Sequence, residues 1–344
     1  MDSTGDPGQT VENVPEMSTF WMCGHVTARR VWATSVSATT CGETAPLCRR
    51  LEAEMPTYRQ SLLAAVVRRY PLLSGCGRLA NHNVVQRIAG ISAEVAWAPV
   101  HGGYQVAAPL DDLIGRAAFY AGDLDRKITW VCRRLVRPGD RVLDIGANLG
   151  LVTMVLAKLV GPTGHVEAFE PIPKMCDLLQ QAIVHNGLRN VRLHRMALGA
   201  EAAELPLFVP PGHAGSASFL PERRSPDQEE IVVPVRTLSE IMSGARDRVR
   251  LVKLDVEGYE PQVLDGGAEY FDRTPPEAVI FELYSEHPAE HPTMRFHRDR
   301  GYQVFTIPRA LVRMRLRQFD GAYDGHDYLA VHHDALSEIA PLIT

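Results

Sequence analysis

The stretch Arg141 to Gly150, R-V-L-D-I-G-A-N-L-G, constrains the fold of this chain more than any other. Val142, Leu143 and Ile145 form a short apolar run suited to a buried strand, and Gly146 and Gly150 let the backbone turn sharply and approach a ligand. Leu151 to Val160 then has helical content, and Gly161-Pro162 stops it. About twenty residues beyond the turn, His165 to Phe169 reads as a second buried strand that delivers Glu170 and Pro171 to its C-terminal end. A carboxylate at that position suits a pair of ribose hydroxyls.

Two ligand classes fit such a turn. A dinucleotide site normally carries G-x-G-x-x-G with a pyrophosphate at the helix N-terminus, whereas here the spacing is G-x-x-x-G and Asp144 precedes it. A carboxylate repels a pyrophosphate but can orient an ammonium, so a nucleoside carrying a cationic amino acid fits better. S-adenosylmethionine is such a ligand. A strand-turn-helix with no ligand is the structural alternative.

With 344 residues and 45% hydrophobic content, the chain can bury one large core or a core plus a smaller unit. A formal net charge of -5 argues against nucleic acid as the main partner. No run reaches the roughly eighteen apolar residues of a membrane span, and the acidic start Met1-Asp2-Ser3-Thr4-Gly5-Asp6 lacks the basic residues of a signal peptide, so a soluble cytoplasmic protein without a membrane partner is expected. The six cysteines, Cys23, Cys41, Cys48, Cys76, Cys132 and Cys176, form no C-x-x-C pair and read as reduced packing residues, with no metal site expected.

Residues 1–18 combine Gly, Pro, Ser, Thr and acids, the composition of a disordered tail. Residues 19–109 read as an N-terminal α+β cap, a substrate lid or the contact of a homodimer, with a helix between Tyr58 and Tyr70 that buries Leu62, Leu63, Val66 and Val67. Short strands follow between Val84 and Val106, with His101-Gly102-Gly103 turning a hairpin. A helix over Leu124–Leu135 buries Ile128, Trp130, Val131 and Leu135. Beyond the opening stretch the expected elements alternate: a helix over Met175–Val184, a strand over Val191–Leu198, a shorter strand over Ile231–Val235 whose Pro234 favours an edge or a strand end, core strands at Val249–Asp255 and Ala278–Leu283, and late strands at Tyr302–Ile307 and Tyr328–Val331. Such alternation specifies a doubly wound, mostly parallel α/β sheet over residues 110–344. The small-residue loop Val209 to Ser218 is placed to close over a ligand.

With these residues placed, the chain resembles the FkbM-type family of S-adenosylmethionine-dependent methyltransferases. The resemblance rests on Asp144 to Gly150, Ala168-Phe169-Glu170-Pro171, Ala197-Leu198-Gly199 and Lys253-Leu254-Asp255-Val256-Glu257-Gly258-Tyr259-Glu260, and covers roughly residues 100–310. It implies a seven-stranded, Rossmann-like class I sheet and methylation of a hydroxyl, often on a natural product or sugar. By position it also implies that Asp144, Gly146, Asn148 and Gly150 surround the methionine part of the cofactor, and that Glu170 and the neighbouring Pro171 serve its ribose. Ala197 and Leu198 would lie near adenine, and Ser216 and Ser218 would reach cofactor or substrate.

Methyl transfer needs the acceptor in line with the sulfur-to-methyl bond, and an alcohol needs a group to take its proton. In an open α/β sheet, ligands lie beyond the C-terminal strand ends, where Asp255, Glu257 and Glu282 fall. Clustered carboxylates raise one another's pKa, bind a hard cation such as Mg2+ when the spacing allows, or cap the following helix. His287, His291 and His213 are further candidates for reaching the acceptor, with His287 the first choice, and Tyr284 is expected as a pocket wall. Arg250 and Lys253, preceding the strand end, are assigned to folding or solubility. The competing readings are an N-methyltransferase and a non-catalytic nucleoside-binding protein.

Overall fold

The computed structural model describes residues 56–343 apart from 72, 91–93, 101, 246 and 311. The expected tail, most of the cap before Tyr58, and Cys23, Cys41 and Cys48 lie outside the described residues. Three short helices come first: α1 (Tyr58–Val67), α2 (Cys76–Ala80) and α3 (Asn83–Ala89). A hairpin of β1 (Val95–Pro99) and β2 (Gln105–Pro109) follows, then α4 (Leu113–Ala121) and α5 (Arg126–Leu135). The wound region begins with β3 (Arg141–Ile145), α6 (Leu151–Val160), β4 (His165–Phe169), α7 (Pro173–His185) and β5 (Val191–His194). It continues through β6 (Ala197–Leu198), β7 (Ala203–Val209), β8 (Glu229–Arg236), α8 (Leu238–Ile241), β9 (Val249–Leu254), α9 (Glu260–Arg273) and β10 (Ala278–Glu282). The last elements are α10 (Pro292–Asp299), β11 (Tyr302–Thr306), β12 (Arg317–Gln318), β13 (Asp327–His332) and α11 (Leu336–Ile339).

The main sheet runs β12-β11-β13-β10-β9-β3-β4-β5. Neighbours from β10 to β5 are parallel, whereas β13 is antiparallel to both β10 and β11. The chain starts in the middle, at β3, winds outward one way through β4 and β5 and then the other way, so the switch in direction falls beside the Gly146 to Gly150 turn. Crevices at such switch points receive ligands. The two-residue β12 makes eight strands where seven were expected, by pairing with the end of β11.

Several elements differ from the sequence reading. The run expected as one strand over Val191–Leu198 breaks at Arg195-Met196: β5 stays in the main sheet and β6 pairs with β8 in a separate sheet ordered β6-β8-β7. β8 is therefore the middle strand there rather than an edge; its Pro234 is accommodated because β6 pairing begins only at Val235. Val84 lies in α3, whose first turn is capped by His82 Nδ1 accepting from Val84 N, instead of in a strand. α1 buries Gln60, Ala64 and Val67 and leaves Leu62 and Val66 exposed, since the stripe that packs is offset from the most apolar one. On α5, Val131 and Leu135 are buried as expected, but Lys127, Thr129 and Cys132 share that side while Ile128 and Trp130 are half-buried.

The hairpin and α4 are not peripheral to the winding. Val106, Ala108, Ala117 and Phe119 share one buried cluster with Met154, Leu178 and Leu179 of α6 and α7, and with Ala64, Val67 and Cys76 from the first helices. Cys76, Cys132 and Cys176 are free and buried. Among the described residues, no helix is long and apolar enough to cross a membrane.

Candidate active site

A cavity extends along the C-terminal strand ends, from β5 and β4, past the turn after β3, to β9, β10 and the first residue of β13. Its centre is made by main chain. Gly146 N and Ala147 N both donate to Phe169 O, at 3.1 and 2.9 Å, which ties the turn to the end of β4. Gly146 adopts φ 79°, and a Cβ there would sit 1.9 Å from Asp255 O, so only glycine lets the turn lie against the segment after β9. Asn148 holds left-handed backbone at φ 51° without being glycine, a conformation its side chain supports by accepting from Leu149 N at 2.8 Å.

Glu170, 3% exposed, reads this turn directly. Its Oε2 accepts from Asn148 N at 2.8 Å and its Oε1 from Ile172 N at 2.9 Å. Burial pushes the carboxyl up to about 7, and the two N–H donors pull against that shift by favouring the charged form. The wall beyond it, at the β5 side, is apolar: Ile172, Met196, Ala197, Leu198 and Leu207. A flat aromatic heterocycle suits that lining.

The other end is acidic. Asp255, Glu257 and Glu282 each place a carboxylate oxygen within 4.8 Å of the others. Burial pushes Glu257 up to about 7, Asp255 adds to the shift and Arg223 opposes it. Glu282 is raised as well, first by burial and then by Asp255, while the Tyr284 hydroxyl that donates to its Oε1 pulls the other way. No side chain caps the following helix, so neither Asp255 nor Glu257 has that role; Glu260 Oε1 instead accepts from Val256 N at 3.1 Å and Gly258 N at 3.3 Å and closes the turn that leads into it. Asp327, opposite Glu282 in the β10–β13 register, also lines the cavity, with Asp123 and Asp125 at the entry to α5. Lys127 pairs with Asp125 and, at 2.9 Å, with Asp327.

Lys253 joins the two ends. It is 7% exposed, donates from Nζ to Gly146 O at 2.7 Å, and lies 3.4 Å from Asp255 Oδ2 and 3.6 Å from Asp144 Oδ1. Burial acts to lower its pKa, but Asp255 and Asp144 outweigh that and hold it raised. Of the two roles expected for it, folding or solubility, the buried position fits folding: the side chain lies under the turn against two carboxylates and a carbonyl.

The expected residues divide clearly. Gly146, Asn148, Glu170, Pro171, Ala197 and Leu198 line the cavity with Asp255, Glu257 and Glu282. Asp144 does not; it is fully buried, accepts from Thr153 Oγ1 at 2.6 Å and faces Lys253, so it steadies the turn from beneath. Gly150 also stays off the cavity, with Leu179 against the place a Cβ would take. Neither serine lines the cavity: Ser216 bonds His213 Nδ1 at 2.8 Å within the loop, and Ser218 donates to Glu257 O at 3.0 Å and ties the loop to the segment after β9. His287 is exposed and lies outside the cavity, its backbone N–H bonded to Ser285 Oγ; His291 caps α10 through Nδ1. The sequence reading missed Asp123, Asp125 and Asp327. The first two were legible as cap residues before a helix, whereas Asp327 reaches the site only because β13 runs backwards.

A sheet ordered β5-β4-β3-β9-β10-β13-β11, with β13 reversed and a glycine turn after the first wound strand, is the Rossmann-like class I methyltransferase fold. Within it, residues 144–304 match the family model of the methyltransferase FkbM domain, the family that the resemblance pointed to. Methyltransferase 1 of Beauveria bassiana is 30% identical over 143 residues, covering 36% of this chain and 57% of that protein. Methyltransferase sdnD of Sordaria araneosa is 29% identical over 154 residues, covering 36% of this chain and 59% of that protein. The chain thus spans less than two thirds of the length of these relatives. The 31-O-demethyl-FK506 methyltransferase FkbM of Streptomyces tacrolimicus is 27% identical over 197 residues, covering 49% of this chain and 75% of that protein.

Proposed function

We propose that this chain transfers a methyl group from S-adenosylmethionine to a hydroxyl of a small molecule. The observation that carries the reading is the cavity's polarity: a main-chain cradle with one ribose-type carboxylate at its centre, an apolar wall beyond β5, and three converging carboxylates at the β9–β10 end. The residues present fit the cofactor, because Glu170 and the main chain of Gly146 to Asn148 line the same cavity as Asp255, Glu257 and Glu282, an acidic lining suited to a cation. When bound, the cofactor supplies a methyl group already activated by its sulfonium. Glu170 would hold the ribose hydroxyls, and Met196, Ala197 and Leu198 would enclose the base.

The remaining task is to place the acceptor and take its proton. Glu257 and Glu282, both raised toward neutral pH, are the groups this chain offers for that transfer. Phe281, Ile128 and Leu124 add apolar surface to the same cavity. An oxygen acceptor is supported by this need for a base and by the name of the Streptomyces relative, a 31-O-demethyl-FK506 methyltransferase. A natural-product or sugar acceptor is the class that the family resemblance implies. Calorimetry with S-adenosylmethionine, followed by S-adenosylhomocysteine release across paired hydroxyl and amine acceptors, tests the reading. Binding with release on hydroxyl acceptors is expected; release only with amines overturns the oxygen assignment, and absence of binding removes the cofactor.

A further inference from the structure

Glu257 is held in an unusual way. It is one of two non-glycine residues with positive φ among the described residues, at 54°. A left-handed glutamate is strained, and the strain persists only where neighbours over-determine it. Here the loop between β7 and β8 does so at two points: Ser218 Oγ donates to the main-chain oxygen of Glu257 at 3.0 Å, and Arg223 NH1 donates to Glu257 Oε2 at 3.0 Å. The loop is itself anchored, since Phe208 and Ser218 exchange backbone hydrogen bonds of 3.0 Å and Phe219 packs on Tyr259 with ring centroids 4.7 Å apart. Gly258 completes the seat, because a Cβ there would come within 2.8 Å of Leu220 and 3.4 Å of Arg223.

We propose that Arg223 is a positioning residue for methyl transfer: it clasps Oε2 of Glu257 and thereby leaves Oε1 to the acceptor. This rests on the functional reading above. Among the described residues nothing hydrogen-bonds Oε1, and the carboxylate lies beside those of Asp255 and Glu282 at the cavity's acidic end. The groups that face Glu257 are Asp255 and Glu260 from its own segment, Glu282 and Tyr284 from the end of β10, His291 before α10, and Arg223. Arg223 is the cation among them that pairs with the carboxylate directly. A guanidinium in that place favours the ionised base against three neighbouring acids. Removing it leaves the carboxyl protonated, and free to swing, over more of the neutral range.

The test uses the full chain and reads the carboxyl itself. Carbon-13 NMR follows the Glu side-chain carboxyls against pH in the parent protein, in Glu257→Gln to assign the signal, and in Arg223→Ala and Arg223→Lys. Arg223→Ala is expected to raise the Glu257 midpoint, and the ascending limb of kcat for S-adenosylhomocysteine release, by about one pH unit, with KM for S-adenosylmethionine within about twofold; Arg223→Lys restores about half the shift. An unmoved midpoint, or a kcat lowered by the same factor at every pH, overturns the clasp. A parent protein that shows the titration shift yet methylates no acceptor refutes the functional reading and leaves the Arg223–Glu257 hold standing.

Discussion

At the β3–β4 side of the cavity, the polar groups are main-chain atoms of one short turn and a single carboxylate, Glu170. At the β10–β13 side they are side chains: Asp123 and Asp125 before α5, Asp255 and Glu257 after β9, Glu282 ending β10 and Asp327 starting β13. The first end is specified by local backbone geometry and tolerates little change in shape. The second is specified by charge gathered from distant segments, so each group can be altered with less damage to the fold. A site divided this way lets one cradle serve a fixed cofactor while the acceptor end varies.

Gly146 is where the two ends touch, and its substitution should do most harm. Gly146→Ala places a Cβ 1.9 Å from Asp255 O in a backbone that disfavours it, so a destabilisation of about 3 kcal/mol or more is expected together with loss of cofactor binding. Chemical denaturation and calorimetry check both. An alanine protein with parental stability would mean that the turn and the β9 segment do not depend on each other.

The comparison sharpens in a pair of carboxylate substitutions. Glu282→Gln should lower kcat by about 10²-fold or more while S-adenosylmethionine affinity stays within about threefold. Glu170→Ala should weaken that affinity by about tenfold or more, a free-energy change of about 1.4 kcal/mol. If the two variants exchange these signatures, the assignment of ends is reversed.

A further expectation concerns stability against pH. Glu257 has a folded-state pKa raised to about 7, above the roughly 4.3 of an unfolded glutamate. Its contribution to stability is therefore complete below the unfolded value and is lost as pH rises through about 7. His297, buried and held down to about 4 by burial, works in the opposite sense, adding stability as pH rises from about 4 to about 6.5. The Tm of the parent relative to Glu257→Gln should accordingly fall between pH 5 and pH 8. A constant difference across that range would show that Glu257 is not buried against like charge.

Most of the winding was legible because buried parallel strands announce themselves locally. Val142 to Ile145, Val166 to Phe169, Val249 to Leu254 and Ala278 to Phe281 are runs too apolar for any place but a covered sheet. The failures occur where tertiary partners outrank local pattern. Val191 to Leu198 is one run by composition, yet it serves two sheets because β8 captures Ala197 and Leu198. On α1, the face that packs is chosen by the helices around it, and Leu62 and Val66 remain outside.

The same division holds within the turn that opened the sequence reading. By itself, the sequence determined a strand, a glycine turn, a helix and an acid one strand further on, since the apolar runs and the positive φ at Gly146 are local properties of the chain. Only the tertiary structure decided what Asp144 faces. Because β9 lies beside β3 with Lys253 in register with it, the carboxylate is drawn beneath the turn by a buried cation instead of outward to a ligand. It likewise decided that Asp327 reaches the acceptor end, because a reversed strand brings its first residue to the edge where its parallel neighbours finish. Contiguous geometry is written in the chain; convergence of charges from separate strands exists only once the sheet has ordered them.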